Sequence, residues 1–192
     1  MSEKIRTFIA IPLPAVQREA IGNLVDRLRR TRADVRWVRG ENVHITLKFL
    51  GPVDESRIAT VEKAVREAVS GVDSFPAVLS GTGMFPGPHR PRVLWVGISE
   101  GGETLSLLAA RVDRSLEALG FEKERRPYSP HITIGRVRSG KGVPACVEAM
   151  EAEEFDAGGF PVDEIRIMRS DLRPQGSVYT ILRRIPLSQG DK

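Results

Sequence analysis

Two tetrapeptides carry the chemistry this sequence offers. His44-Ile45-Thr46-Leu47 and His131-Ile132-Thr133-Ile134 lie 87 positions apart (131 minus 44) and hold two of the three histidines in the chain. In a strand, residues i and i+2 share a face. His44 therefore stands beside Thr46 and His131 beside Thr133, while the aliphatic residues of each tetrapeptide turn the other way into a core. Histidine titrates near neutral pH and can give or take a proton. A threonine hydroxyl can hydrogen-bond a non-bridging phosphate oxygen. In-line displacement at phosphorus has its attacking and leaving oxygens on opposite sides. Two imidazoles across a cleft suit that geometry, one accepting a proton from the nucleophile and the other donating one to the leaving group. Such a pair predicts a bell-shaped rate profile between about pH 5 and 8. His89, in Gly87-Pro88-His89-Arg90-Pro91, is expected to be an exposed loop residue.

A metal centre fits these residues poorly. Zinc takes at least three protein ligands, and no carboxylate shares the face of either His-x-Thr. The chain has no His-Glu-x-x-His string and no Gly-rich loop closing on Lys-Ser/Thr. No cofactor and no metal are expected. A single cysteine, Cys146, excludes a disulfide framework and a Cys-rich zinc site by count, and suits a reducing cytoplasm. No segment reads as a signal peptide, a membrane span or a lipidation signal, so the expected location is cytoplasmic. At 192 residues, 41% hydrophobic and 28% charged, the chain reads as a globular protein able to bury its own core. Its net charge of +4 permits an anionic partner such as RNA without requiring one.

The elements that must position the histidines repeat at the same spacing. Val25-Asp26-Arg27 falls on Val112-Asp113-Arg114, Phe8 on Trp95 and Ile11 on Ile98, all 87 apart. Two histidines sharing their next two residues is on the order of a one-in-a-few-hundred coincidence at ordinary residue frequencies. Phe75-Pro76 also resembles Phe160-Pro161 at an offset of 85 (160 minus 75). The expected organisation is one bilobal domain over 1–192 with an internal duplication, its units near 5–51 and 92–138.

The pattern of apolar residues predicts strands over Ile5–Ile11, Val43–Leu50 (ended by Gly51-Pro52), Phe75–Gly83, Arg92–Ile98 and Pro130–Val137. Phe160–Arg169 and Val178–Leu187 read as a closing strand pair. Helices are predicted with Pro14 at the first position (Ile21, Leu24, Val25 and Leu28 on one face), after Asp54 as N-cap (Ile58, Val61, Val65, Val69), from Glu103 (Leu105, Leu108, Val112, Leu116) and over Val143–Glu154. Met84–Pro91 is expected to be a turn-rich loop, and the chain from Ser188 a loose tail.

His44-Ile45-Thr46-Leu47-Lys48-Phe49-Leu50-Gly51 and His131-Ile132-Thr133-Ile134-Gly135-Arg136 resemble the paired signature of the two-histidine phosphoesterase superfamily. Within it the chain is most similar to the RNA 2′,3′-cyclic phosphodiesterases, also called 2′-5′ RNA ligases. Phe8-Ile9-Ala10-Ile11, Val35-Arg36-Trp37-Val38, Arg92-Val93-Leu94-Trp95-Val96 and Ile165-Arg166-Ile167-Met168-Arg169-Ser170 extend the resemblance over almost the whole chain. The resemblance implies an α+β fold of two pseudo-symmetric lobes, their sheets facing a central cleft and their helices outside. It implies metal-independent opening of a 2′,3′-cyclic phosphodiester to a 2′-phosphomonoester, with His44 protonating the leaving 3′ oxygen and His131 activating water. Thr46 and Thr133 would bind the phosphate, with Arg136 neutralising it. Strict strand alternation puts Arg136 opposite His131, so its role needs a local bulge near Gly135. Lys48 is the second candidate phosphate contact.

Trp37, Phe8, Trp95 and Tyr128 are available for base stacking, although core packing suits Phe8 and Trp95 better. Arg125 and Arg126 either line an RNA approach or form an exposed charged loop. The expected partner is RNA with a 2′,3′-cyclic phosphate end, tRNA fragments or nucleotides included, acted on by a monomer. The alternatives are a 2′-5′ RNA ligase, a small-nucleotide phosphodiesterase, or a non-catalytic RNA- or nucleotide-binding module. The intact pair of His-x-Thr motifs argues against the last.

Overall fold

The computed structural model of the chain describes residues 3–174 and 176–189. Strand β1 (Lys4–Pro12) leads into helix α1 (Ala15–Arg29), then β2 (Val35–Trp37) and β3 (His44–Asp54). Helix α2 (Ile58–Ala68) joins β3 to β4 (Phe75–Phe85), and α3 (Gly102–Glu117) joins β5 (Val93–Glu100) to β6 (His131–Val137). Helix α4 (Val143–Glu151), β7 (Asp156–Val162), β8 (Glu164–Arg173) and β9 (Gly176–Pro186) complete the chain. The strands form two antiparallel sheets, ordered β3-β1-β8-β9 and β2-β6-β5-β4-β7. The α+β architecture, with sheets facing a cleft and helices outside, is the one the resemblance implies.

Periodicity explains most of these elements. Ile21, Leu24, Val25 and Leu28 are buried along one face of α1, and Leu105, Leu108, Val112 and Leu116 along one face of α3. Pro14 stands just outside α1 in extended conformation rather than at its first helical position. Asp54 does not cap α2, because a 3₁₀ turn over Glu55–Arg57 intervenes and no side-chain cap bond forms.

Three strand boundaries and the expected tail differ from the sequence expectation. Strand β3 runs through Gly51-Pro52 instead of ending there. It is an edge strand, where a proline costs no ladder bond on its outer side, and Gly51 at φ +70° accommodates the register shift opposite Thr7/Phe8. Strand β4 continues to Phe85, so the loop begins later. Phe160–Arg169 is two strands, β7 in one sheet and β8 in the other. The buried residues change parity there, from Phe160 and Val162 to Ile165 and Ile167, which marks the crossing at Asp163. Finally, Ser188 is tied down: its N–H donates to the Val72 carbonyl (3.1 Å) and its carbonyl accepts from Ser74 N–H (2.8 Å). The rest of the expected tail, 190–192, lies outside the described residues.

The two sheets exchange elements. Strand β8, late in the chain, pairs with β1 in the first sheet, and β4, early in the chain, pairs with β5 in the second. Helices α2 and α3 pack together and reach β9 and β3 of the first sheet, while α1 and α4 touch and reach β7 and β4 of the second. Phe75-Pro76 and Phe160-Pro161 are direct neighbours: Pro76 pairs with Pro161 across β4 and β7. The sheets meet where β3 approaches β6, and the Tyr128 hydroxyl bridges them by donating to the Thr46 carbonyl (2.9 Å).

Candidate active site

Each histidine opens a strand, His44 on β3 and His131 on β6. Ile45 and Leu47, and likewise Ile132 and Ile134, are buried, which leaves His44/Thr46 and His131/Thr133 half-exposed on the opposite faces. Both imidazoles are anchored in the same way. Nδ1 of His44 lies 2.7 Å from the Asn42 carbonyl oxygen, and Nδ1 of His131 lies 2.7 Å from the Ser129 carbonyl oxygen. A carbonyl only accepts, so each Nδ1 carries the proton when the ring is neutral, and Nε2 is left as the reactive nitrogen.

The rings sit against aromatic walls. Phe8 and Tyr179 lie 4.9 and 5.4 Å from His44, centroid to centroid, and Phe85 and Trp95 lie 5.1 and 6.4 Å from His131. Burial among such groups disfavours the imidazolium. It lowers the His44 pKa to about 4 against the help of the Asn42 carbonyl. Burial also lowers that of His131, opposed by the Ser129 carbonyl and reinforced by the Arg136 charge.

A matching bulge in each strand reassigns the residues beyond the threonines. In β6 the pairing with β5 steps from Trp95↔Thr133 to Leu94↔Gly135, so Ile134 is unpaired. Gly135 is thereby turned inward, where a Cβ would come within 2.7 Å of Val35 and 3.0 Å of Trp37. Arg136 is turned to the face of His131, exposed. In β3 the pairing steps from Ala10↔Thr46 to Ile9↔Lys48, so Leu47 is unpaired. That step moves Lys48 away from the cleft and brings Phe49 onto it, 59% exposed and 5.9 Å from the Phe8 ring.

Lys48 is accordingly not free to meet a phosphate. Its ammonium forms an ion pair with Asp113 of α3 and donates to the Glu122 carbonyl (2.7 Å), and its side chain is only 5% exposed. Burial opposes ionisation of Asp113, but bonds from Lys48 and the Glu124 N–H outweigh it and hold the carboxyl below its ordinary pKa.

The stacking candidates also sort themselves. Phe8 is core, Trp37 lies on the back of its sheet over Gly135, and Tyr128 is spent on the Thr46 carbonyl. Phe8 and Trp95 do not occupy equivalent rungs: Pro12 lies opposite His44 and Gly97 opposite His131, an offset of 85 (97 minus 12) for the first strands against 87 for the second. His89, Arg125 and Arg126 are exposed. Sequence reasoning missed Phe49, Phe85 and Tyr179, whose places depend on the bulge or on distant strand pairing. Among the described residues no three His, Cys, Asp or Glu side chains cluster as a metal would need, and no helix is long and apolar enough to cross a membrane.

Two facing sheets, each presenting a histidine and a threonine from the start of a strand, define a paired-histidine phosphoesterase fold. The chain belongs to the 2′-5′ RNA ligase superfamily, whose family model matches residues 14–174. It is 36% identical over 178 residues to the RNA 2′,3′-cyclic phosphodiesterase of Methanothermobacter thermautotrophicus, covering 92% of this chain and 96% of that protein. The enzyme of the same name from Archaeoglobus fulgidus is 36% identical over 180 residues, covering 93% and 98%. Escherichia coli LigT in complex with 3′-AMP superposes with a TM-score of 0.77 at 27% identity, over 97% of this chain and 100% of LigT.

Proposed function

We propose that this protein is an RNA 2′,3′-cyclic phosphodiesterase that opens cyclic phosphate ends to 2′-phosphomonoesters without metal. The observation that carries this reading is the matched anchoring of both imidazoles, each fixed at Nδ1 by the carbonyl two residues upstream. That arrangement leaves a reactive Nε2 free on each of the two sheets. The names of the relatives in this family support the same substrate class.

In the proposed reaction His131 Nε2 takes a proton from water as its oxygen bonds to phosphorus, and the P–O3′ bond breaks as His44 Nε2 gives its proton to the 3′ oxygen. Proton and charge balance, and the phosphate stays on O2′. Thr46 and Thr133 hydrogen-bond the non-bridging oxygens, and Arg136, turned to the cleft by its bulge, neutralises them. Burial keeps both imidazoles neutral in the free protein, so the anionic substrate itself raises the proton affinity of His44 on binding. The substrates are RNA ends, tRNA fragments or nucleotides carrying the cyclic phosphate, acted on by a cytoplasmic monomer. The exchanged sheets are one bilobal domain descended from a duplication of units near 5–51 and 92–138.

The test is hydrolysis of an oligoribonucleotide ending in a 2′,3′-cyclic phosphate, in EDTA, with the 2′- and 3′-monophosphate products resolved. The expected product is the 2′-phosphate, and His44→Ala and His131→Ala should each lower turnover about 10²- to 10⁴-fold while still binding the end. Turnover surviving in both variants would refute the mechanism. No turnover by the unaltered protein would favour the ligase or the binding module.

A further inference from the structure

A cavity of about 280 Å³ is lined in part by His44. Pro12, Arg18, Asn42, His44, Arg166 and Tyr179 are among the residues that line it. Its volume is at the small end of ligand sites and suits part of one nucleotide rather than a duplex. Most of its polar groups are already committed. Arg166 is ion-paired with Glu164, Asn42 donates to the Ser177 carbonyl (2.7 Å), and Glu41 at the wall faces Arg39 at 3.8 Å. Arg18, on the first turn of α1, is different. Its Nε is buried and has no hydrogen-bond partner among the described residues. Arg18 as a whole is half-buried and lines the cavity, so its guanidinium can pair with an anion that enters there.

The direction of the reaction says which anion. The leaving 3′ oxygen stays on its ribose, so the terminal nucleoside lies on the side of His44, where the cavity is. The next anionic group along that strand is the phosphate on the 5′ oxygen of the same nucleoside. Resting on the phosphodiesterase reading above, we propose that Arg18 and its cavity bind the 5′-phosphate of the terminal nucleotide, so that the enzyme selects RNA ends and 5′-phosphorylated nucleotides over nucleosides bearing only the cyclic phosphate. Water attacks from the opposite side, beside His131, where such a subsite would not serve.

The experiment compares adenosine 2′,3′-cyclic phosphate with its 5′-phosphorylated form on the purified full chain. The unaltered enzyme should favour the 5′-phosphorylated substrate by about tenfold or more in kcat/KM, carried mainly by KM. Arg18→Gln should collapse that ratio toward one, and Arg18→Lys, which keeps the charge but not the fork, should leave it intermediate. An unaltered enzyme indifferent to the 5′-phosphate, or a ratio unchanged by Arg18→Gln, would overturn the subsite and leave the phosphodiesterase reading standing. If neither substrate is turned over, that reading has failed. The subsite is then judged by calorimetric binding of adenosine 2′,5′-bisphosphate against adenosine 2′-monophosphate. A preference for the bisphosphate lost in Arg18→Gln supports it, and equal binding overturns it.

Discussion

At the scale of single residues, the environment of the two imidazoles dictates the pH behaviour. The acid–base pair works with one ring protonated and one neutral. Burial holds His44 at about 4 and His131 below its ordinary value in the free protein. As pH rises through the higher of the two values, the protonated partner is lost, so kcat/KM should reach its maximum below pH 6.5. A bound phosphate anion favours imidazolium and raises both pKa values. The kcat profile should therefore peak at higher pH than the kcat/KM profile. Steady-state rates across pH, with chemistry rate-limiting, check this: coincident profiles centred above pH 7 would mean that burial does not govern the pair.

At the scale of elements, the decisive features are the two bulges, one residue after each threonine. They are opposite in consequence because the residues they redirect differ. On β6 the bulge brings an arginine to the cleft, and on β3 it brings Phe49 there and sends Lys48 into an ion pair with α3. Lys48 is therefore a structural residue, and removing a buried partner leaves an uncompensated charge. Lys48→Met should destabilise the fold by about 3 kcal/mol, lowering Tm by roughly 6–12 °C for a chain of this size. Adding Asp113→Leu should restore most of that loss. The assay is thermal unfolding beside cyclic phosphate hydrolysis below the transition. A Lys48→Met enzyme of full stability but greatly reduced turnover would return the lysine to the phosphate.

At the scale of the whole molecule, the exchange of strands and helices binds the two sheets into one unit. Strand β8 completes the first sheet from late in the chain, and β4 the second from early in it, so neither sheet closes from a contiguous half. The hydroxyl of Tyr128 and the ammonium of Lys48 tie the halves further. The expected outcome is one cooperative unfolding transition, the same by far-UV circular dichroism and by tryptophan fluorescence. Trp37 and Trp95 both belong to the second sheet, so two separated transitions would reveal lobes that fold alone.

The sequence by itself determined the catalytic candidates, the strand character of both motifs, the faces of α1, α2 and α3, and the class of chemistry. These follow from short-range periodicity: His and Thr two residues apart on a strand, and buried aliphatic residues at helical spacing, depend on nothing distant. The sequence pattern over Phe160–Arg169 reads as one strand, and only the sheet partners show that it is two. Only the tertiary structure decided that Lys48 leaves the cleft while Arg136 enters it, that Phe8 and Trp95 are not equivalent, and that the offset-85 match joins two paired strands. Register shifts and sheet partners are set by strands that lie tens of residues away in the chain, and each one-residue slip reverses which face a side chain takes. For the same reason the cavity shared by Arg18 and His44, where the Arg18 Nε has no hydrogen-bond partner among the described residues, could be seen only once α1, β8 and β9 had been brought together around it.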